Sequence, residues 1–521
     1  MKHENRFVTG SGGEKMELFA GVDIGTSGTK TACFDVHGNV VSSSRMEYDF
    51  CNLSDGRREL DAELIFSCVK DCLRKIGRIG GIRSITVSSL GEAIIPIDRY
   101  GNPLCNAIIG TDFRGEEQAA RFVKRVGEET IRRITGLNTS TIYSVNKILW
   151  LKENDQALYS RIKHIFTFQD FIIWKLSGAA AIDYSMASRT MLFDINEMNW
   201  SEKILQAAGI SRTLLSNPVR SGTNVGKMKK ELANDLGLSE NTAIIAGTHD
   251  HICNALGCGV YRAGWCSNTV GTTEGLTAVI GSREAFLPNI NKFQMSCEPF
   301  AFKDLFNTVA WNNTSGALLR WFINEFCRDY SSAKSPYNAV EANMPAGPTG
   351  LLVLPHFSGA ATPHMDSLSQ GAVVGLTLGT SRAQLYKALV EGANYELAVI
   401  INCLTEAGLP VDHIISSGNA LSEKLLQIKA DILGIPIETV TCKLTGPLGG
   451  AILGAVSCEV YETIQEAVEK MVHYGKQYVP NEKCHRRYLD LQNIYSELYS
   501  ALKGINHQLS ACRICSPLDM V

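Results

Sequence analysis

The sequence predicts an α/β protein of two domains with a ligand cleft between them, and three observations carry the prediction. A chain of 521 residues is longer than one hydrophobic core organises. Two glycine- and hydroxyl-rich turns, at residues 25–27 and 271–273, each join two apolar β-type runs. Around them strand patterns alternate with helical ones, as mixed α/β layers require.

From Leu18 the chain reads as strand, glycine-rich turn, strand, tight turn at His37-Gly38-Asn39 and strand, an antiparallel meander. A helix follows, with Asp61 able to cap it and Leu64, Ile65, Cys68, Val69, Cys72, Leu73 and Ile76 recurring on one face. Further strands are expected at 85–89, 93–97 and 243–247, and helices around 144–153 and 169–176. The second hairpin spans 264–280 and echoes the first, which places a domain boundary near 261–264. No low-complexity tract or short repeat interrupts the chain, so solenoids and disordered scaffolds are not expected.

Composition narrows the function classes. A 45% hydrophobic and 20% charged chain with net charge −3 gives no electrostatic reason to expect nucleic acid or an anionic membrane as partner. The opening MKHENRFVTGSGGEKM is polar and lacks an apolar run, so it reads as a flexible extension and not as a signal peptide or anchor. A cytoplasmic protein is expected, its 16 cysteines reduced and mostly buried. Cys512 and Cys515 have no second pair of that spacing and read as a tail ornament, not a metal site.

Three segments carry chemistry. In DIGTSGTK, Asp23 ends a strand and Thr26, Ser27 and Lys30 follow among glycines. Glycine lets backbone N–H groups approach an anion, hydroxyls add donors, and a carboxylate facing phosphates can hold magnesium through its waters. The Gly-Lys-Ser/Thr ending of a Walker A loop is missing. The same residues alone are also compatible with an ordinary glycine-rich hairpin. In AIIAGTHDHICNALGCG, Asp250 follows an apolar strand and opens a helical segment. A carboxylate there can accept the proton of an attacking hydroxyl, or simply cap the helix. His249 and His251 flank it without a third ligand and read as packing or hydrogen-bonding residues. Gly418 and Ser422 precede a helix with an apolar stripe at Leu421, Leu425, Ile428 and Ile432, a corner against which a flat purine can lie.

DIGTSGTK, AGTHDH, VGTTEG, LPHFSGAATP, GLTLGTSRAQLYKALVEGANYE and SSGNALSEKLLQIKADILGIPI, in this order, resemble the successive signatures of the FGGY carbohydrate kinases over nearly the whole chain, about 18–499. The resemblance implies two actin-like, ribonuclease-H-like domains closing on ATP, Mg2+ and a sugar or polyol, and it allows a homodimer. It implies Asp250 as general base, Asp23 with Asp250 at the magnesium, and Thr26, Ser27 and Lys30 in the first phosphate loop. Gly271, Thr272 and Thr273 would form the second loop, with Gly316, Gly418 and Ser422 near the adenosine. The acceptor would meet Glu92, Asp112, Arg114 and Asp250. The division implied is 1–16 extension, 17–261 N-terminal domain, 262–505 C-terminal domain and 506–521 tail.

Gly91 stands where glycerol kinases of the family carry arginine, which disfavours glycerol. Glu92 stands in place of the xylulokinase histidine, which weakens the case for D-xylulose and leaves ketopentoses, ketohexoses, deoxy-ketoses and polyols all open. The Thr-His-Asp around Asp250 is similar to kinases of deoxyhexuloses such as fuculose and rhamnulose. A rival reading is an actin-like or chaperone-like ATPase switch with no small-molecule acceptor.

Overall fold

The computed structural model describes residues 16–52, 57–330, 335–418 and 422–514. The extension before Met16, Leu421 and Cys515 lie outside the described residues. The apolar run Leu18–Ile24 (β1) pairs antiparallel with Gly28–Phe34 (β2), which pairs antiparallel with Val40–Glu47 (β3). Gly38, at φ +76°, makes the tight turn between the last two in a left-handed conformation that favours glycine.

The helix Ala62–Gly77 (α1) begins where Asp61 accepts hydrogen bonds from the backbone N–H groups of Glu63 and Leu64. Its face of Ile65, Val69, Leu73 and Ile76 is fully buried. Each such side chain contributes about 1.5–3 kcal/mol. Leu64 departs from the expected stripe: it is 48% exposed, and Phe66 packs in its place. Asp61→Ala should cost about 1 kcal/mol, because two N–H groups lose their acceptor. A thermal midpoint unchanged from wild type would contradict this.

β1 pairs in parallel with Ile82–Ser89 (β4), and the short antiparallel edge Asn224–Lys227 (β5) flanks Ala243–His249 (β6). The first sheet has the order β5-β6-β4-β1-β2-β3. The strand expected at 93–97 is shorter, Ile95–Ile97, and lies outside this sheet against His164–Phe166. Helices Ser144–Asn154 and Phe168–Ser177 occupy the expected places.

Immediately after β6 comes the helix Asp250–Gly257 (α2), and then the plan repeats. Trp265–Val270 (β7) and Glu274–Ile280 (β8) form the second hairpin, followed by Glu298–Pro299 (β9), Phe306–Asn312 (β10) and the helix Gly316–Phe326 (α3). His413–Gly418 (β11), the helix Glu423–Leu433 (α4), Ile437–Val440 (β12), the helix Thr445–Ser457 (α5) and Tyr474–Tyr478 (β13) complete the second unit. Its sheet has the order β9-β10-β8-β7-β11-β12-β13. In both sheets an antiparallel meander adjoins parallel strands, the arrangement of the actin-like fold.

The two units are interlocked. α5, from the second half of the chain, lies on β1 and β4 of the first sheet, while α2 packs on Val279 and Ile415 of the second. The two helices cross at glycines: a Cβ on Gly257 would sit 1.9 Å from the Thr445 carbonyl oxygen, and one on Gly449 1.9 Å from that of Cys253. Only hydrogen fits at either position. The final helix, Glu482–Ile514 (α6), runs unbroken through residue 506, where a tail was expected. It is tied down there, because the Asn506 amide donates to the Gln370 carbonyl at 3.1 Å and His507 meets Asp366 at 2.8 Å.

Candidate active site

The first hairpin sets Asp23 directly opposite Lys30 across β1 and β2. Its tip is closed by Gly25 N–H donating to the Gly28 carbonyl at 3.0 Å, and the Tyr48 hydroxyl ties it down by donating to the Gly25 carbonyl at 2.8 Å. In the second hairpin Gly271 N–H donates to the Thr273 carbonyl at 2.9 Å. The start of α3 abuts it, with Gly316 N–H donating to the Gly271 carbonyl and Ala317 N–H to that of Thr272, both at 3.1 Å.

Between the hairpins lies a cleft of about 760 Å3, lined by Asp23, Lys30, Gly271, Thr272, Gly316, Gly418 and Ser422. That volume falls in the range of small-molecule and cofactor sites. Thr26, Ser27 and Thr273 lie at the exposed hairpin tips, beside the cleft and off its lining. Ser422 caps α4, accepting from Leu425 N–H at 3.4 Å, and its hydroxyl donates to Glu341 at 2.7 Å.

Several residues of the cleft were not anticipated. Asn254, one turn along α2 from Asp250, donates to the Thr269 hydroxyl at 2.6 Å and to that of Ser417 at 3.5 Å, and accepts from the Thr445 hydroxyl. It thereby joins the Asp250 helix to β7, β11 and α5. Gly446 follows Thr445, and a Cβ there would come within 2.8 Å of Asp23 Oδ2. Behind the second hairpin, Lys429 of α4 donates to Asn268 Oδ1 at 2.6 Å and pairs with Glu274, the two side chains being 1% and 2% exposed.

Asp250 opens α2, where the positive end of the helix favours its charged form. Oδ1 accepts from the His251 N–H at 2.7 Å and lies 3.2 Å from His249 Nε2, while the side chain stays 28% exposed. Burial pushes its pKa up to about 6, against the pull of Arg189 and Lys30. Burial and then the charge of Asp250 push Asp23 up to about 7. Asp250 itself is off the lining of the cleft, whereas Asp23 and Asn254, the latter on the Asp250 helix, are part of it. Burial and the Arg189 charge lower His251 to about 4 and hold His249 well below the usual histidine range, so both are neutral at pH 7.

Beyond Asp250 lies a buried ion triad. Arg189, which follows the short helix Tyr184–Ser188, pairs through Nη2 with Glu92 and donates from Nη1 to Glu298 Oε1 at 2.7 Å. Glu298 belongs to β9, so the triad joins the two halves. Glu92 is held at φ +60°, a sparsely populated conformation for a residue with a side chain. Asp112 and Arg114 sit elsewhere, in the loop whose Gly110 adjoins Glu92. Asp112 accepts four hydrogen bonds: from Arg114 N–H and Nε at 2.9 Å each, from Arg114 Nη2 at 2.8 Å and from Arg58 N–H at 2.7 Å. Arg114 also donates to Glu59 at 2.8 Å. These two residues hold each other in place.

The profile of the FGGY family of carbohydrate kinases matches residues 18–257 for its N-terminal domain and 266–458 for its C-terminal domain. The chain is 27% identical to a xylulose kinase of Bacillus subtilis (strain 168) over 504 residues, covering 96% of this chain and 100% of the relative. It is 25% identical to the gluconokinase of the same organism, covering 94% and 97% of the two chains. The crystal structure of a ligand-bound xylulose kinase from Lactobacillus acidophilus superposes with a TM-score of 0.86 at 24% identity, over 95% of this chain and 100% of that one. Among the described residues, no helix is long and apolar enough to cross a membrane.

Proposed function

Because its two domain profiles together span most of the chain, this protein belongs to the FGGY family of carbohydrate kinases, and from that premise we propose that it transfers the terminal phosphate of ATP directly to a hydroxyl of a sugar or polyol, with Asp250 as general base. The observation that carries this reading is a cleft of about 760 Å3 walled by two glycine hairpins, with Asp23 on its lining together with Asn254, which lies one turn along the helix that Asp250 opens.

In this mechanism the acceptor hydroxyl lies beside Asp250, which takes its proton as the oxygen attacks. Lys30 and the backbone N–H groups of Thr272 and Thr273 receive the charge of the transferred phosphoryl group. The adenosine lies toward Gly316, Gly418 and Ser422, and Thr26, Ser27 and Thr273 reach the phosphates from the hairpin tips as the halves close. Glu92 meets the acceptor, while Asp112 and Arg114 shape the loop behind it.

Magnesium fits this site. Asp23 is raised by burial and by a neighbouring carboxylate, and a divalent cation would relieve both effects. Among the described residues no group of three or more His, Cys, Asp or Glu side chains could hold a metal alone. The ion would be held by Asp23, with Asp250 nearby, together with water and the nucleotide phosphates. Once bound, it would neutralise charge on the transferring phosphate.

A nucleotide-driven switch has no need of a buried triad linking the halves beside the base, and this favours the kinase over that reading. The test is a screen of ATP consumption against ketopentoses, ketohexoses, deoxy-ketoses and linear polyols. Acceptor-dependent ADP release supports the proposal, and ATPase activity indifferent to every acceptor contradicts it.

The pH dependence follows from Asp250. Only the ionised carboxylate can take a proton, and with a pKa of about 6 its ionised fraction rises with pH through that value. At pH 5 roughly a tenth of the enzyme should be active relative to pH 8. A flat profile of kcat/KM from pH 5 to 8 would remove Asp250 from the role.

A further inference from the structure

We propose that Ser144 and Lys147, in the first turn of the helix Ser144–Asn154, are positioning residues of the acceptor site: they hold the loops around Glu92 in the shape that binds the acceptor and touch no substrate themselves. The inference rests on the phosphotransfer reading above and deepens it.

Four segments of the N-terminal half meet at this turn. The Ser144 hydroxyl donates to the Glu92 carbonyl at 2.9 Å. The Lys147 ammonium donates to the carbonyls of Gly110 at 3.3 Å, Thr141 at 2.6 Å and Ile142 at 3.0 Å. The Val145 N–H donates to the Thr190 carbonyl at 3.0 Å, next to Arg189. Gly115, just past Arg114, packs so closely that a Cβ there would sit 2.5 Å from the Asn146 carbonyl oxygen. Glu92, its ion partner Arg189 and the loop of Asp112 and Arg114 are all fastened to one helical turn.

Helix stability does not account for a lysine at this position. A cation in the first turn opposes the helix dipole, and burying an ammonium costs more than burying an apolar side chain of similar size. Lys147 is nevertheless fully buried, with each of its three N–H donors met by a loop carbonyl. What it supplies that an apolar residue could not is three directed hydrogen bonds, which fix the loop at Gly110 against the loop at Thr141 and Ile142.

Ser144 acts at the strained point. The left-handed backbone of Glu92 is costly for a residue with a side chain and persists only where its surroundings hold it. Ser144 holds its carbonyl, and Lys147 holds Gly110, where a Cβ would come 3.1 Å from Glu92 Oε2. Glu92 is therefore fixed at its backbone by one residue and beside its side chain by the other. A loop released from this shape would be competent to bind only part of the time, and the apparent affinity for the acceptor would fall by that fraction. Once the acceptor is bound the loop is back in place. The signature is a raised acceptor KM at unchanged kcat.

The experiment measures initial rates of ADP release by the full-length chain at saturating MgATP, with whichever of D-xylulose, L-fuculose, D-fructose, xylitol and D-gluconate the wild type uses best. Ser144→Ala should raise the acceptor KM about tenfold and Lys147→Met about 100-fold, with kcat within about threefold of wild type and MgATP affinity unchanged. Lys152→Met is the matched control. That lysine, in the last turn of the same helix, also donates to backbone carbonyls, those of Ala208 at 3.3 Å and Gly209 at 2.6 Å, outside the acceptor loops. Its loss should lower the thermal midpoint and leave the acceptor KM as in wild type. Should Lys147→Met fail to fold, Ser144→Ala decides. An acceptor KM within about twofold of wild type in Ser144→Ala, a fall in kcat at unchanged KM, or an equal rise in KM in Lys152→Met overturns the inference while leaving the kinase reading intact. Wild-type ADP release that no acceptor stimulates removes the kinase reading, and this inference with it.

Discussion

Asp250→Asn should give a folded protein that binds MgATP nearly as tightly as wild type and transfers its phosphate about 10²- to 10⁴-fold more slowly. The asparagine keeps an oxygen to accept from the His251 N–H, so the start of α2 is preserved. What is lost is the basic oxygen that removes the hydroxyl proton. A second effect separates this from general damage. Burial raises Asp23 and the charge of Asp250 adds to it, so removing that charge should bring the Asp23 pKa part of the way down from about 7. Calorimetric titration of MgATP, kcat with the best acceptor and the acid limb of residual activity read the three quantities. Wild-type turnover in this variant would refute the assignment.

The second large effect concerns stability. Lys429→Met should destabilise the C-terminal half by about 3–5 kcal/mol, because it leaves the Glu274 carboxylate buried without its cation. The pair lies directly behind the second hairpin, since Glu274 follows Thr273 and Lys429 lies on the helix that Ser422 caps. MgATP binding should therefore weaken along with stability. Combining Lys429→Met with Glu274→Gln removes the stranded charge and should recover most of the loss. Denaturation midpoints of the single and double variants decide the matter: a double variant as unstable as Lys429→Met alone would show that the missing cation is not the cause.

The parts of the site that could be read from sequence are those built from consecutive residues. The hairpin turns announce themselves through glycine and hydroxyl runs, and Asp250 through the passage from strand to helix. The Glu92–Arg189–Glu298 triad could not be read in this way. Arg189 and Glu298 are 109 positions apart and each sits in an unremarkable context. Glu274 and Lys429 are 155 apart, and the lysine occupies an ordinary helical position. Asn254 was within reach, one turn along from Asp250 on the same helix, but its partners come from three distant segments. Asp112 and Arg114 show the converse. The family resemblance implied a binding role for them, and in the structure each meets its partner two residues away. Leu64 fitted the apolar period of α1 yet faces solvent, because periodicity fixes a stripe but not which of its edges the neighbouring sheet covers.

Direct transfer requires one terminal phosphate to meet both the hairpin cleft and Asp250. The most direct measurement is a crystal structure with Mg2+, a non-hydrolysable ATP analogue and the best acceptor found in the screen. The terminal phosphate should lie between Lys30 and the 271–273 turn, the metal beside Asp23, and the acceptor hydroxyl within hydrogen-bonding reach of Asp250. A complex with the phosphates bound away from these residues, or with the acceptor out of hydrogen-bonding reach of Asp250, would contradict this arrangement.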